Sequence, residues 1–88
     1  MIRRRLIVHG QVQGVGFRWA IARAAQSRGV SGWVTNRADG TVEALLEGEP
    51  DEVESVVRLA REGPRGAQVE RVDVADEEPE ALRGFVTR

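Results

Sequence analysis

Apolar positions in this chain recur with two different periods, and the switches between them mark out its elements. The segment Arg3 to His9 is apolar and β-branched through Leu6, Ile7 and Val8, which predicts a strand that ends at Gly10. From Phe17 to about Arg28 the composition turns to Ala and Arg. Phe17, Ile21, Ala24 and Ala25 fall there at helical spacing, and Gly29 stops the run. Ser31 to Asn36 and Thr41 to Glu47 predict two strands, joined through Arg37-Ala38-Asp39-Gly40, whose Asp-Gly pair suits a hairpin turn. Val42, Ala44 and Leu46 alternate onto one face. A second helix has Pro50 near its start, Asp51 and Glu52 in its first turn, and Val53, Val56, Val57 and Ala60 on one stripe before Gly63-Pro64 ends it. Val69, then Val72 and Val74, change parity, predicting a strand with a bulge near Glu70-Arg71. The acidic run Asp76 to Glu80 reads as a solvated loop leading to a short last strand around Gly84 to Thr87.

The order is therefore strand, helix, strand, strand, helix, strand, with a terminal strand added. That order predicts an α+β fold of the ferredoxin-like split βαβ kind, an antiparallel-rich sheet carrying two helices on one face. No repeat or low-complexity block interrupts residues 1–88, which are read as one domain. Such a fold serves enzymes, RNA binders and regulatory modules alike, so the function has to be sought in its sites.

Composition narrows the choice. A chain of 88 residues buries a thin core and leaves room only for a shallow cradle at a loop. It has no cysteine and one histidine, which removes thiolate chemistry and cysteine-rich zinc sites, and no metal or other cofactor is expected. The run Leu6-Ile7-Val8 is far short of a signal-peptide core or a membrane span, so the expected setting is the cytoplasm, without a membrane partner. A net charge of -1 argues against general nucleic-acid affinity, and the Arg3 to Val8 strand lacks the aromatic pattern of an RNA-binding sheet. The distribution of charge says more than its sum. Residues 1–44 carry seven Arg against Asp39 and Glu43, whereas residues 45–88 carry six Arg against twelve acids, so an anion site belongs in the first half. Arg3 to Arg5 are expected to be exposed there and to add to its positive field.

The stretch Gly10 to Arg18, GQVQGVGFR, is the candidate. Its glycines allow successive main-chain N–H groups to point at one spot, and the start of the helix adds unpaired N–H groups and the positive end of a dipole. Arg18 sharpens the case, because a cation in the first turn of a helix is unfavourable unless an anion compensates it. Its planar fork also matches phosphate oxygens. Read alone, such a stretch is more commonly a tight connection followed by a solvated arginine. It fails the nucleotide motifs, with no Gly-Lys-Ser/Thr and Trp19 where a third glycine would stand. Asn36 likewise reads either as a strand-end residue bonded into the turn or as an amide that orients a water. His9 reads as structural or solvated, and Trp19 and Trp33 as packing or cover.

Two segments taken together resemble a known family. Val8-His9-Gly10-Gln11-Val12-Gln13-Gly14-Val15-Gly16-Phe17-Arg18 is similar to the first signature of the acylphosphatases. Gly32-Trp33-Val34-Thr35-Asn36-Arg37-Ala38-Asp39-Gly40-Thr41-Val42, with Gly48 after five further residues, is similar to the second. Thr35 departs from that second pattern, where a basic or longer side chain usually precedes the Asn. The resemblance covers essentially the whole chain. It implies a metal-independent hydrolase that splits the carboxyl-phosphate bond of small-molecule acyl phosphates and releases inorganic phosphate; separately, a monomer is expected. It further implies that the backbone of Gln13, Gly14, Val15, Gly16, Phe17 and Arg18 cradles phosphate, that Arg18 binds it, and that Asn36 positions a water for direct attack. The competing expectation is a non-catalytic ferredoxin-like module that binds phosphate or regulates a partner.

The chemistry of these residues agrees with the first reading. An acyl phosphate departs as a carboxylate, whose conjugate acid has a pKa of about 4 to 5, and so needs no general acid at neutral pH. An Arg, an Asn and an anion-binding backbone supply positioning and charge stabilisation, which suffices for an activated phosphoryl donor.

Overall fold

Burial along the first strand decides which side of the sheet the helices cover. The computed structural model describes residues 1–88 and places β1 at Ile2–Gln11, α1 at Phe17–Ser27, β2 at Ser31–Asn36, β3 at Val42–Gly48, α2 at Pro50–Glu62, β4 at Gln68–Glu77 and β5 at Phe85–Thr87. Leu6 and Val8 of β1 are buried with Val34, Val42, Ala44 and Leu46 of the neighbouring strands, against Phe17, Ile21 and Ala25 of α1 and Val53, Val56, Val57 and Ala60 of α2. Both helices thus lie on one face. The stripes read from the 3.6-residue period are the ones that pack, and the alternation of Val42, Ala44 and Leu46 supplies the facing surface.

The five strands lie in the order β4-β1-β3-β2-β5. All neighbours are antiparallel except β2 and β5, which pair in parallel with Val34 opposite Thr87. This is the ferredoxin-like arrangement expected, with β5 added at the edge. The change of parity in β4 is also a bulge: His9 faces Arg71 and Gly10 faces Val69, so Glu70 is the extra residue. Gly10 lies inside β1 and does not end it, because the strand runs on to Gln11. A Cβ at Gly10 would stand 2.0 Å from the main-chain oxygen of Gln68, so the bulge admits only glycine there.

The open face of the sheet overturns two expectations. Arg3 to Arg5 are not a free positive patch. Arg3 is 8% exposed and pairs with Glu77 and Glu80, Arg5 pairs with Glu43 and Glu77, and Arg4, on the helix side, pairs with Asp76 and with Glu54 of α2. The acidic run that supplies these partners is not a solvated loop throughout, since Asp76 and Glu77 belong to β4, in register with Arg4 and Arg3. Cross-strand pairing of opposite charges made the strand longer than its apolar pattern. Leu45 and Glu47 of β3 are buried on this second face too, at 3% and 2% exposure.

Glu47 has a specific role there. Its two carboxylate oxygens accept the main-chain N–H groups of Glu80 at 2.7 Å and Leu82 at 2.6 Å. Ala81 between them has φ 57°, in the left-handed region, at a cost of about 1 kcal/mol for a residue with a Cβ. Two charge-assisted bonds of about 1.5–3 kcal/mol each offset it. The segment before β5 is thereby fastened to the sheet, and Trp33 lies beneath the Arg5 and Arg88 guanidinium groups, 5.5 and 4.6 Å from its ring centroid.

The ion network gives the fold an acid-sensitive component. The Arg5 guanidinium, by hydrogen bonding above all, holds the Glu77 carboxyl below its usual value of 4.5. A lowered pKa in the folded state means that this stabilisation is complete above about 4.5 and is lost as the pH falls through the folded value. The melting temperature of the wild type should therefore fall more steeply than that of Glu77→Gln as the pH is taken from 5 towards 2 (about the range set by these values), the two curves converging. Parallel curves would show that Glu77 is not held by its arginines.

Candidate active site

Between the end of β1 and the start of α1, the chain reverses within Val12 to Gly16. Val12 and Phe17, at 0% and 1% exposure, pin both ends of this loop in the core. Gly14 and Gly16 have φ 76° and 78°, and nothing lies within 4 Å of a Cβ built on either, so it is the left-handed backbone and not space that calls for glycine. Gly16 is the residue that caps α1, without any side-chain cap, and no acid stands in the first turn. The first helical bond runs from Ala20 N–H to the Gly16 oxygen at 3.0 Å. The N–H groups of Phe17, Arg18 and Trp19 are therefore left without helical acceptors.

These amides open onto a cavity of about 270 Å³, bordered by Gly14, Gly16, Arg18, Trp19, Asn36 and Thr87 over Val12 and Phe17. Ligand pockets commonly run from about 300 to 1,000 Å³, so this one matches a phosphoryl group with a small appendage. Arg18 reaches it from the first turn of α1, and its Nη1 donates to the main-chain oxygen of Arg88 at 2.8 Å, which steadies the guanidinium from the β5 side. Asn36, the last residue of β2, faces it from the opposite element.

The two readings of Asn36 separate here. Its side chain makes no hydrogen bond into the hairpin turn; other groups hold that turn. Gln13 Nε2 donates to the main-chain oxygens of Arg37 at 2.8 Å and Thr41 at 3.0 Å, and Asp39 accepts from the Thr41 hydroxyl at 2.6 Å and its N–H at 3.0 Å. Those two bonds from Thr41 hold the Asp39 carboxyl below the usual carboxylate range. The Asn36 amide borders the cavity without a protein hydrogen-bond partner.

Of the six residues expected to cradle phosphate, Gly14, Gly16, Phe17 and Arg18 border the cavity. The side chains of the other two are engaged elsewhere: that of Gln13 ties the loop to the hairpin, and that of Val15 packs on the core. Trp19, read from the sequence as packing or cover, and Thr87, which the sequence does not single out, border the cavity as well. Trp19 had a signal, its place beside Arg18 in the same helical turn; Thr87 had none, because only the parallel pairing of β5 with β2 brings it there. His9 lies elsewhere, its Nε2 2.9 Å from Asp73 Oδ2, a contact that lowers the Asp73 pKa more than the nearby Arg71 does. Thr35 donates its hydroxyl to the Asn36 main-chain oxygen at 3.3 Å and does not border the cavity.

Pairing also sorts the arginines of the first half. Five of the seven sit in salt bridges with Glu43, Glu52, Glu54, Asp39 or the acids of residues 76–80, and the two that do not are Arg18 and Arg23. The bordering residues offer a guanidinium, a carboxamide, hydroxyl and main-chain amides, with no carboxylate, imidazole or thiolate. Such a set binds and orients a polyanion and cannot itself act as a neutral-pH acid or base.

Comparison with known proteins adds a second line of evidence. The acylphosphatase family model matches residues 4–87. An acylphosphatase of Thermococcus kodakarensis is 54% identical over 84 residues, covering 96% of this chain and 92% of its own length. One from Nostoc sp. is 51% identical over 85 residues, covering 97% and 84%. The crystal structure of acylphosphatase from Bacillus subtilis matches the fold with a TM-score of 0.96 at 37% identity, over 100% of this chain and 99% of that one.

If unpaired amides and Arg18 form an oxyanion site, inorganic phosphate should raise the melting temperature in proportion to the logarithm of its concentration, stabilising by about 2.7 kcal/mol at a hundred times its Kd. Sodium chloride at equal ionic strength should do much less, and Arg18→Gln should abolish the difference. Equal protection by both salts would reduce the effect to general screening.

Proposed function

The chain belongs to the acylphosphatase family, and from that premise we propose that Arg18 and the first-turn amides of α1 bind the phosphoryl group while Asn36 aims the attacking water. The activity is hydrolysis of acyl phosphates to a carboxylate and inorganic phosphate. The single observation that carries the division of labour is the free Asn36 amide, across the cavity from Arg18.

In this reading the phosphoryl oxygens sit at the mouth of α1, where N–H groups and dipole favour negative charge, and the Arg18 fork takes two of them. Fixed donors lower the cost of the charge spread over those oxygens in the transition state, with no reorganisation at the moment of reaction. The Asn36 carboxamide holds a water in line with the scissile bond. The water oxygen forms a bond to phosphorus, and the bond from phosphorus to the acyl oxygen breaks. Its electron pair leaves on the carboxylate, and the water's proton passes to a phosphoryl oxygen. No side-chain acid is needed because the leaving group is already a weak base. Charge stabilisation falls to the guanidinium and amides, so the step uses no metal. A non-catalytic phosphate-binding module would use Arg18 but has no work for a water-orienting amide. The small number of exposed large apolar side chains, Met1, Trp19 and Val86, supports a monomer, and the lack of cysteine suits the cytoplasm.

Arg18 and Asn36 should fail differently. Arg18→Gln should weaken phosphate inhibition and nearly abolish turnover, and Arg18→Lys should rescue little, since it restores charge without the fork. Asn36→Ala should keep the phosphate inhibition constant while lowering kcat about a hundredfold. The measurements are kcat, the phosphate inhibition constant and the melting temperature of each variant. An Asn36→Ala enzyme that loses phosphate affinity and keeps kcat would make Asn36 a grip and not an aim.

His9→Gln should retain most turnover and an unchanged pH profile between about 5 and 8, since its partner is Asp73 on the open face. A hundredfold loss in a folded His9→Gln enzyme would return the imidazole to the mechanism.

A further inference from the structure

Trp19 borders two depressions at once. One is the cavity of the phosphoryl site; the other, about 410 Å³, runs along the outside of α1 past Ala20, Arg23 and Ala24, with Leu59 of α2 on its far bank. Positions 19, 20, 23 and 24 are related by one helical turn, so they present one face, and the stretch from Trp19 to Ala24 is about 7.5 Å long. Trp19 is 65% exposed, a large apolar area for a chain whose other sizeable side chains are mostly covered. The ring does not hang free: the Arg23 guanidinium stacks over it, 5.3 Å from the centroid, and makes no salt bridge that would draw it away. A fixed aromatic surface therefore leads out of the phosphoryl cavity onto an apolar groove.

We infer that Trp19 is the platform on which the acyl group of the substrate lies, and that the enzyme favours acyl phosphates with an aromatic or extended apolar acyl group. The inference rests on the reading of the neighbouring cavity as the phosphoryl site. With the phosphoryl group between Arg18 and Asn36, an acyl part larger than a small appendage extends through the open side of the cavity, and Trp19 is the wall it shares with the groove. Contact with the indole and with Ala20, Ala24 and Leu59 removes apolar area from water on both partners. The groove's chemistry selects by shape and apolar surface. It contains no acid, and its cations are Arg23, on the ring, and Arg28, paired with Glu52 at 3.5 Å.

The test compares kcat/KM for acetyl, hexanoyl and benzoyl phosphate in the wild type, Trp19→Ala and Trp19→Phe. Taking the ratio of each substrate to acetyl phosphate, and then the ratio of variant to wild type, cancels the intrinsic reactivity of the anhydrides. Trp19→Ala should lower the benzoyl-to-acetyl ratio about tenfold, chiefly through KM for benzoyl phosphate, with a smaller fall for hexanoyl, and Trp19→Phe should restore most of it. An unchanged ratio would overturn the inference and leave the phosphoryl site standing. If Trp19→Ala altered the oligomeric state in sedimentation while the ratio held, the face would belong to a second copy of the chain, which also overturns it. Failure of the wild type to hydrolyse even acetyl phosphate would remove the parent reading and this inference with it.

Discussion

Everything at the site follows from how the chain gets from β1 into α1. A strand buried to Val12 and a helix buried from Phe17 leave too few residues for a relaxed connection, and the reversal is made through left-handed glycines. A helix entered that way has no side chain in position to cap it. The amides of its first turn would be a liability in an ordinary domain. Here they face the cavity, and the same geometry that makes the loop short sets them toward one point. Arg18, which would be unfavourable at that end of a helix by itself, becomes favourable only with an anion present.

The rest of the charge is arranged so as not to compete. Arginines 3 to 5 are paired with acids delivered by β3, α2, β4 and the segment after β4. Neutralising them locally keeps the positive potential of the first half confined to Arg18 and Arg23, the two that flank Trp19. A diffuse positive surface would attract any polyanion, whereas a paired one leaves recognition to a single cradle.

Much of this architecture is legible in the sequence because local and long-range preferences agree. The stripes on both helices, the Asp-Gly turn and the parity change at Glu70 are local patterns, and each occurs where its pattern lies. The loop that borders the cavity is legible for the same reason, being a short glycine-studded stretch followed by Arg18. What could not be read is what depends on partners distant in the chain. Arg3 to Arg5 look like an exposed patch until β4 is laid beside them, and Asp76 and Glu77 look like a loop until they find those arginines. Glu47 looks like the polar residue of an alternating strand; its burial comes from a segment more than thirty residues away. Thr87 reaches the cavity only because β5 runs parallel to β2, a topology with no local signature.

That last strand carries a consequence of its own. β5 has three residues and lies at the sheet edge, held to β2 by a short parallel ladder that extends to bonds of 2.9 Å from Gly32 N–H to the Gly84 oxygen and from Arg88 N–H to the Val34 oxygen. Arg18 leans on Arg88, and Thr87 forms part of the cavity wall. Edge segments with few buried contacts open with far less free energy than the core, and they do so without disturbing it. The working lifetime of the site is accordingly set by its least fastened strand: a molecule with every core residue in place, but with β5 lifted, has a loosened Arg18 and an incomplete cavity. Glu47, on β3 next to the strand that carries Asn36, bears on how seldom that happens, because it anchors the segment from which β5 departs.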